Sequence, residues 1–277
     1  MLYFVKALSF YTSTKNWENI FDRLDRYLKE FMMRGCMYKI FFGLILLAES
    51  LFSLEEALIS FTFDDGYACQ YETVIPLLEK YDFSSTFYFT NDFLDKPGYV
   101  TSKEVIEIFR KGHEIGSHSL THKNLKQISR SQVKKELMES KLLLEILIAG
   151  SVVSFAPPFG VYGRDAFFFL KNTYSSSRSI VPGLNRIKNI NPFFIYGNVI
   201  FSSTSLIEIE ALIRKTIKEK AWLVLVYHRV DERDHMLSVS PKKFEQTLKL
   251  VQDFGLRVLP VKEALSQYFE VYLDPNL

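Results

Sequence analysis

The stretch Leu58 to Tyr67, "LISFTFDDGY", runs from an apolar, strand-forming hexapeptide straight into two adjacent carboxylates and a glycine. Neighbouring Asp side chains repel each other and hydrate strongly, so at the mouth of a core strand they need open water or a cation. Gly66 directly behind them permits the sharp turn that would present them. Asp-Gly is also an ordinary turn signal, so "FDDG" gains weight only from what the rest of the chain places near it.

Working outward, short apolar runs alternate with capped helical stretches. "LISFTF" reads as a strand, followed by a helix around 71–80 and a second strand in "SSTFYF". Thr101 with Glu104 makes a capping box for a helix ending near Gly112, and "HEIGSHS" reads as the third strand and its exit. Ser129 with Gln132 caps a long helix stopped by Gly150. "VVSF" and a helix near 165–171 come next, then an ill-defined section holding Pro182, Gly183 and Pro192. Ser205 with Glu208 caps another helix, and "AWLVLVYH" is a strongly apolar strand. Ser240 and Pro241 suit N-cap and N1 of a helix stopped at Gly255, ahead of a last strand "LRVLP". Such alternation predicts an α/β fold with a parallel sheet covered on both faces, and so many units suggest closure into a barrel.

The composition excludes several classes. The chain has 277 residues, 48% hydrophobic and 24% charged, which is ordinary for a globular protein. Its 34 basic and 32 acidic residues give a net charge of +2, too little to argue for nucleic acid. Two cysteines, Cys36 and Cys69, form no CxxC, so neither a disulfide framework nor a thiolate metal site is expected.

Three polar clusters fall where strands end: Asp64 and Asp65 after the first, His118 and His122 in "HSLTH" after the third, and His228 in "LVYH" after the late apolar strand. Two histidines four apart present two imidazoles to one point, and one carboxylate completes three N/O ligands. That leaves a position open for water, as catalytic zinc requires. The other carboxylate is then free to act as a base.

These residues resemble the polysaccharide deacetylases of the NodB-homology group. The matching motifs are "TFDDG" (62–66), "HSLTH" (118–122), "FAPPFG" (155–160) and "LVYH" (225–228), in the family's order, with "SPKKFEQTL" from Ser240 also family-like. The resemblance covers roughly Leu58 to Leu265 and implies a distorted (β/α) barrel of about seven strands. It also implies a divalent metal, zinc by preference, on Asp65, His118 and His122. Asp64 would be the general base activating water at the metal, and His228 the general acid for the departing amine. In the "PPFG" turn, Pro158, Phe159 and Gly160 would border the substrate, the Phe159 N–H helping to hold the oxyanion. The expected substrate is an N-acetylated cell-surface or cell-wall polysaccharide. The alternatives are a carbohydrate-binding relative without catalysis, or a hydrolase of another non-peptide amide.

There are departures from the pattern. Many members carry Arg at the position of Ala156, where it contacts the catalytic Asp, although some relatives also carry Ala. Arg164, Arg178 and Arg186 are candidate substitutes, and Asp165 is a candidate to orient His228. Elsewhere, His113 reads as a strand-entry histidine, His235 as part of a solvated loop and Cys69 as a buried helix-start residue. Tyr88, Phe89, Phe93 and Trp222 have the option of lining a sugar groove, but core packing is the expected use.

Residues 1–57 read as a separate N-terminal segment and 58–277 as the catalytic domain. Within the first, Met37 to Ser53 ("MYKIFFGLILLAESLFS") has Arg34 and Lys39 near its front, an apolar run from Ile40 to Ala48, then small and polar residues. This is the layout of a secretory signal or anchor, shorter than the roughly 20 apolar residues of a stable span. It predicts an extracytoplasmic protein, secreted or held at the membrane through 37–53, the alternative being a buried amphipathic helix; one hypothesis is that Met37 is the true start. N-terminal sequencing of the mature native protein should return no peptide from before Met37; recovering one would overturn that start.

Overall fold

The structure, a computed structural model, describes residues 57–161, 163–186 and 190–270. The chain divides between Ser53 and Leu54 into two units, and every described residue lies in the second. The signal-like stretch 37–53 lies outside the described residues. Among the described residues, no helix is long and apolar enough to cross a membrane.

The opening stretch forms β1 (Leu58–Asp65), with all eight residues buried. Burial on both faces suits its aromatic and β-branched content, and all of its pairings are parallel. It lies between β7 (Trp222–Tyr227) on one side and β2 (Thr86–Phe89) on the other, with the short β8 (Arg257–Val258) beside its first two residues. The sheet continues from β2 through β3 (Glu114–Ser117) and β4 (Ser154–Phe155) to β5 (Ser176–Ser177), and from β7 to β6 (Asn198–Val199). Seven parallel strands, β1 to β7, with the short Arg257–Val258 strand added beside β1, thus curl into a half-barrel of the NodB type, as the resemblance implies. Its edges, β5 and β6, do not pair; an isolated bridge from Arg178 to Ile195 lies at the gap, so the expected closure is incomplete.

Period-two alternation sorts each strand. Ile59, Phe61 and Phe63 of β1 join Leu223, Leu225 and Tyr227 of β7 in the large core beneath the helices. Phe63 stacks on Phe87 at 4.9 Å, and Phe244 meets Tyr227 edge-on at 5.1 Å. Truncating one of these rings to Ala would cost about 3–5 kcal/mol. The opposite faces, with Leu58, Trp222, Val224 and Val226, line the inside of the half-barrel. Trp222 is fully buried there and its Nε1 donates to Ser60 Oγ at 2.9 Å, so it belongs to the core, as do Tyr88 and Phe89.

The helices largely follow the sequence signals. All three capping boxes form, at the starts of α2 (Ser102–Arg110), α3 (Arg130–Ile148) and α5 (Leu206–Glu219). Each cap contributes about 1 kcal/mol. Ser240 caps α6 (Pro241–Asp253), with proline at N1. The segment expected as one helix over 71–80 divides into a π-helical turn, Gln70–Val74, and α1 (Ile75–Lys80). The left-handed C-cap of α3 is Ala149 and not Gly150; a Cβ on Gly150 would sit 2.7 Å from the Phe109 ring. The section left undefined by sequence supplies β5 and β6 after α4 (Arg164–Thr173), and the described chain closes with α7 (Val261–Glu270).

Two buried ionisable groups stand at the opening of β3. Glu114 accepts from Thr86, Ser154 and the Lys262 N–H, clasping the start of α7. His113 is 3% exposed, with Nδ1 accepting from the Ser85 N–H at 3.2 Å. Burial pushes the His113 imidazole down from 6.5 to about 4. Its contribution to stability is therefore complete above pH 6.5, falls as the pH drops from 6.5 towards 4, and levels off below; the span is roughly 3 kcal/mol. Urea unfolding at pH 7.5 and 4.5 should show His113→Gln losing less stability on acidification than the wild type by about that amount. Parallel losses in the two proteins would refute it.

Candidate metal and hydrolytic site

Because the strands are parallel, their C-terminal ends share one edge of the sheet, and chemistry in such folds gathers there. Asp64 and Asp65 end β1, His118 follows β3, Ala156 follows β4, Arg178 follows β5 and His228 follows β7. Asp65 and Gly66 both take positive φ, 72° and 84°. The sharp turn read from "DDG" is thus shared by an Asp and a Gly, and it aims the two carboxylates differently.

Asp65 faces the histidines. Its Oδ1 lies 3.3 Å from His118 Nε2 and 3.2 Å from His122 Nε2. The three ligand atoms lie within 4.8 Å of one another. The histidines do not share a helical face, because "HSLTH" is a loop with Ser119 at φ 71° and His122 at φ 59°. Several polar groups hold it in that shape. The His122 N–H donates to Ser119 Oγ at 3.0 Å, and the Thr121 N–H donates to Glu136 on α3 at 2.8 Å, with the Thr121 hydroxyl donating to the same carboxylate. Glu136, 4% exposed, carried no signal in the sequence beyond that of an ordinary helical glutamate.

This arrangement fits a cation. His118 Nδ1 lies 2.7 Å from the Ala156 carbonyl, an acceptor, so it carries the proton and donates. In the neutral ring, Nε2 is then an acceptor pointed at another acceptor, Asp65 Oδ1, which is buried without a hydrogen-bond partner among the described residues. A divalent ion between them satisfies all three atoms, and two nitrogens with one oxygen form the donor set of a catalytic site. Without an ion the cluster leans on protons. Burial would raise Asp65, but the two histidines outweigh it and hold the carboxyl far below its usual range. Burial would lower His118, but Asp65 and Asp64 draw it upward.

Asp64 faces inward, 2% exposed, and binds the Arg178 guanidinium through Nη2. Of the three arginines considered from sequence, Arg178 is the one in the site. Arg186 pairs with Glu219, and Arg164 is exposed at the start of α4. Arg178 is fully buried, with its guanidinium carbon 5.1 Å from the centroid of the Tyr88 ring. Tyr88 stands beside Asp64 and Gly116 in the strand register, and a Cβ on Gly116 would fall 2.4 Å from its ring. Position 116 must therefore lack a side chain for this stack to form. Sequence could not select Arg178, because two-residue β5 has no hydrophobic period to show which way its neighbours point.

His228 Nε2 lies 3.9 Å from Asp64 Oδ2. Burial lowers its pKa, partly offset by Asp64 and Asp65. Asp165 does not orient it: that carboxylate pairs with Arg130 at the surface, 2.8 Å away. His228 Nδ1 has no hydrogen-bond partner among the described residues. In the "PPFG" turn Pro158 is buried, while Gly160 at φ 66° presses on Ile180 so closely that no Cβ fits. Phe159 adopts φ 59° and packs edge-on to His122 at 4.8 Å with its ring half exposed, which sets this turn beside the ligand cluster. Phe93, half-buried, lies against the other side of His122 at 5.5 Å. His235 is exposed and Cys69 is buried, as read from sequence.

A family profile described as polysaccharide deacetylase matches residues 53–173, which takes in "TFDDG", "HSLTH" and "FAPPFG" and ends before His228. Over that stretch the chain is similar to the polysaccharide deacetylases. It is 30% identical over 114 residues to a peptidoglycan-N-acetylglucosamine deacetylase of Bacillus cereus, a stretch covering 41% of this chain and 51% of that protein. It spans about half the length, or less, of the curated relatives it matches. Its fold is shared with a family 4 acetyl xylan esterase from Clostridium thermocellum solved with a cobalt ion, at TM-score 0.56 and 18% identity over 76% of this chain and 90% of that one. It is equally shared with a family 4 pseudoenzyme from Bacillus anthracis, at TM-score 0.52 and 14% identity over 76% of this chain and 66% of that one.

A buried ion pair is costly to break from one side, about 3–5 kcal/mol, because the surviving charge stays out of water. Arg178→Met and Asp64→Asn should each lose stability on that scale, while the double variant should lose clearly less than the sum in denaturant unfolding. Strict additivity would show that the two side chains do not interact.

Proposed function

We propose that this protein is a metal-dependent hydrolase that removes the N-acetyl group from amino sugars of a cell-surface or cell-wall polysaccharide. One observation carries the reading. A convergent Asp65–His118–His122 donor set stands beside a carboxylate and an imidazole, Asp64 and His228, that are free of ligand duty and 3.9 Å apart. The family match and the name of the Bacillus cereus relative support an amino-sugar amide as substrate. The signal-like pattern at 37–53 supports an extracytoplasmic location, where such polymers lie.

A divalent ion held by Asp65, His118 and His122, with zinc the first choice, would supply Lewis acidity towards the acetyl carbonyl and lower the pKa of water. Asp64 accepts the proton of the attacking water. Arg178 serves that role by neutralising Asp64 in its ionised form and fixing its direction. As the carbonyl carbon gains the water oxygen, the Phe159 N–H, carried on a strained left-handed residue beside the ligands, supports the developing oxyanion. His228 delivers a proton to the sugar nitrogen as the C–N bond breaks, and acetate and a free amine leave. A positioned acid and base contribute about a hundredfold or more each.

Because the fold is shared with a pseudoenzyme, activity has to be argued from the side chains. A non-catalytic sugar-binding module would be indifferent to Asp64. Protein stripped with chelator and reloaded with zinc should release acetate from N-acetylglucosamine oligomers of chitin, peptidoglycan or poly-N-acetylglucosamine type. Asp64→Asn should lower the rate by about a hundredfold or more with little change in sugar binding. Absence of acetate from every oligomer, before and after reloading, would sink the proposal.

A further inference from the structure

The carboxylate of Asp64 is held by Arg178, and the ladder between β1 and β7 brings it beside His228 but ends at Phe63 opposite Tyr227, one residue short of both. Asp64 lies within a paired strand, whereas His228 is the first residue past the end of β7, and its Nδ1 meets no partner among the described residues. The link between them is Gln70. Its side-chain amide, fully buried, donates from Nε2 to the backbone carbonyls of both Asp64 and His228, the latter at 2.8 Å. Two carbonyl oxygens can be satisfied only by the NH2 end of an amide, so the orientation of the side chain follows from its partners. Its other end, Oε1, is buried with no hydrogen-bond partner among the described residues. Such an orphan is a cost that ordinary packing would remove by substitution.

The local backbone is equally unusual. Gln70 opens the π-helical turn Gln70–Val74, closed by the Ile75 N–H donating to the Gln70 carbonyl. This wider turn places Gln70 under the strand ends while Val74 and Ile75 still reach the core.

We infer that Gln70 is a positioning residue that sets the separation of Asp64 and His228 by bridging the main chains of β1 and β7 one residue beyond the end of their ladder. This deepens the proposed function and rests on it for its catalytic meaning. A positioned acid matters most when the leaving group is a poor one, as the amine of an amide is. An activated aryl ester releases a phenolate that needs no proton. Since Arg178 and the β1 ladder continue to hold Asp64, loss of Gln70 falls mainly on His228.

The test uses Gln70→Met, which keeps volume and removes the donors, and Gln70→Glu, which sets a carboxylate against the two carbonyls and serves if the first variant fails to fold. Unfolding temperature and zinc affinity establish that the fold and ligand set persist. For Gln70→Met, kcat on an N-acetylglucosamine oligomer should fall about tenfold to a hundredfold with KM little changed, while kcat on 4-nitrophenyl acetate stays within about threefold. Equal losses on both substrates would mean a merely structural role, and no loss on either would overturn the inference. Crystal structures of wild type and variant decide the point without turnover. The Asp64–His228 gap should widen from 3.9 Å, with Asp65, His118 and His122 unmoved. An unchanged gap refutes Gln70, whereas an inactive wild type refutes only the deacetylase reading.

Discussion

The buried pair of Asp64 and Arg178 is the constraint on which the site depends. A carboxylate in the interior of a half-barrel is tolerated only if a fixed cation offsets the loss of water, and the pair is worth keeping only if its geometry is good. Here the geometry is imposed from below. Gly116 leaves room for the Tyr88 ring, that ring supports the Arg178 guanidinium, and the guanidinium fixes one oxygen of Asp64. The other oxygen is thereby left facing His228. Four strands contribute to one charge balance, so the direction of the Asp64 carboxylate is a property of the sheet and not of the Asp-Asp-Gly turn alone.

Around that pair, the backbone stores strain where direction matters. Asp65, Ser119, His122 and Phe159 are non-glycine residues in left-handed conformation, and all lie in the ligand cluster, its loop or the turn beside it. Each costs of order 1 kcal/mol or more, and persists because neighbours over-determine it. Glu136 holds the loop from the helix side, Ser119 from within, and the Ala156 carbonyl sets the tautomer of His118. The position where many relatives carry arginine thus contributes through its main chain, which needs no particular side chain. The cation comes from the next strand instead.

The two carboxylates illustrate how one dipeptide can serve two tasks. Successive residues at a strand end point to different sides, and the turn at Asp65 exaggerates the difference. Asp64 belongs to the interior with Arg178, while Asp65 belongs to the histidines. Their mutual repulsion is divided between two partners, a guanidinium on one side and the imidazoles, with the ion they fit, on the other.

The primary structure determined most of the scaffold and singled out the candidate site residues. Alternating strands and helices, three capping boxes, the proline at the start of α6 and four ordered motifs are local patterns, and local patterns survive in a linear text. What stayed illegible was whatever depends on which residues meet across the sheet. Arg178 was one of three arginines until β5 placed it opposite Asp64, and Asp165 looked near until it turned out to pair with Arg130. Gln70 and Glu136 are ordinary polar residues in the text; a π-turn and a buried helix face make them supports of the site. The closure of the barrel, too, is decided at strands of two residues, β5 and β6, which are too short to carry a hydrophobic period. Periodicity reports which face a segment buries. The partner it meets there is chosen by the register and curvature of the whole sheet, which no segment encodes alone.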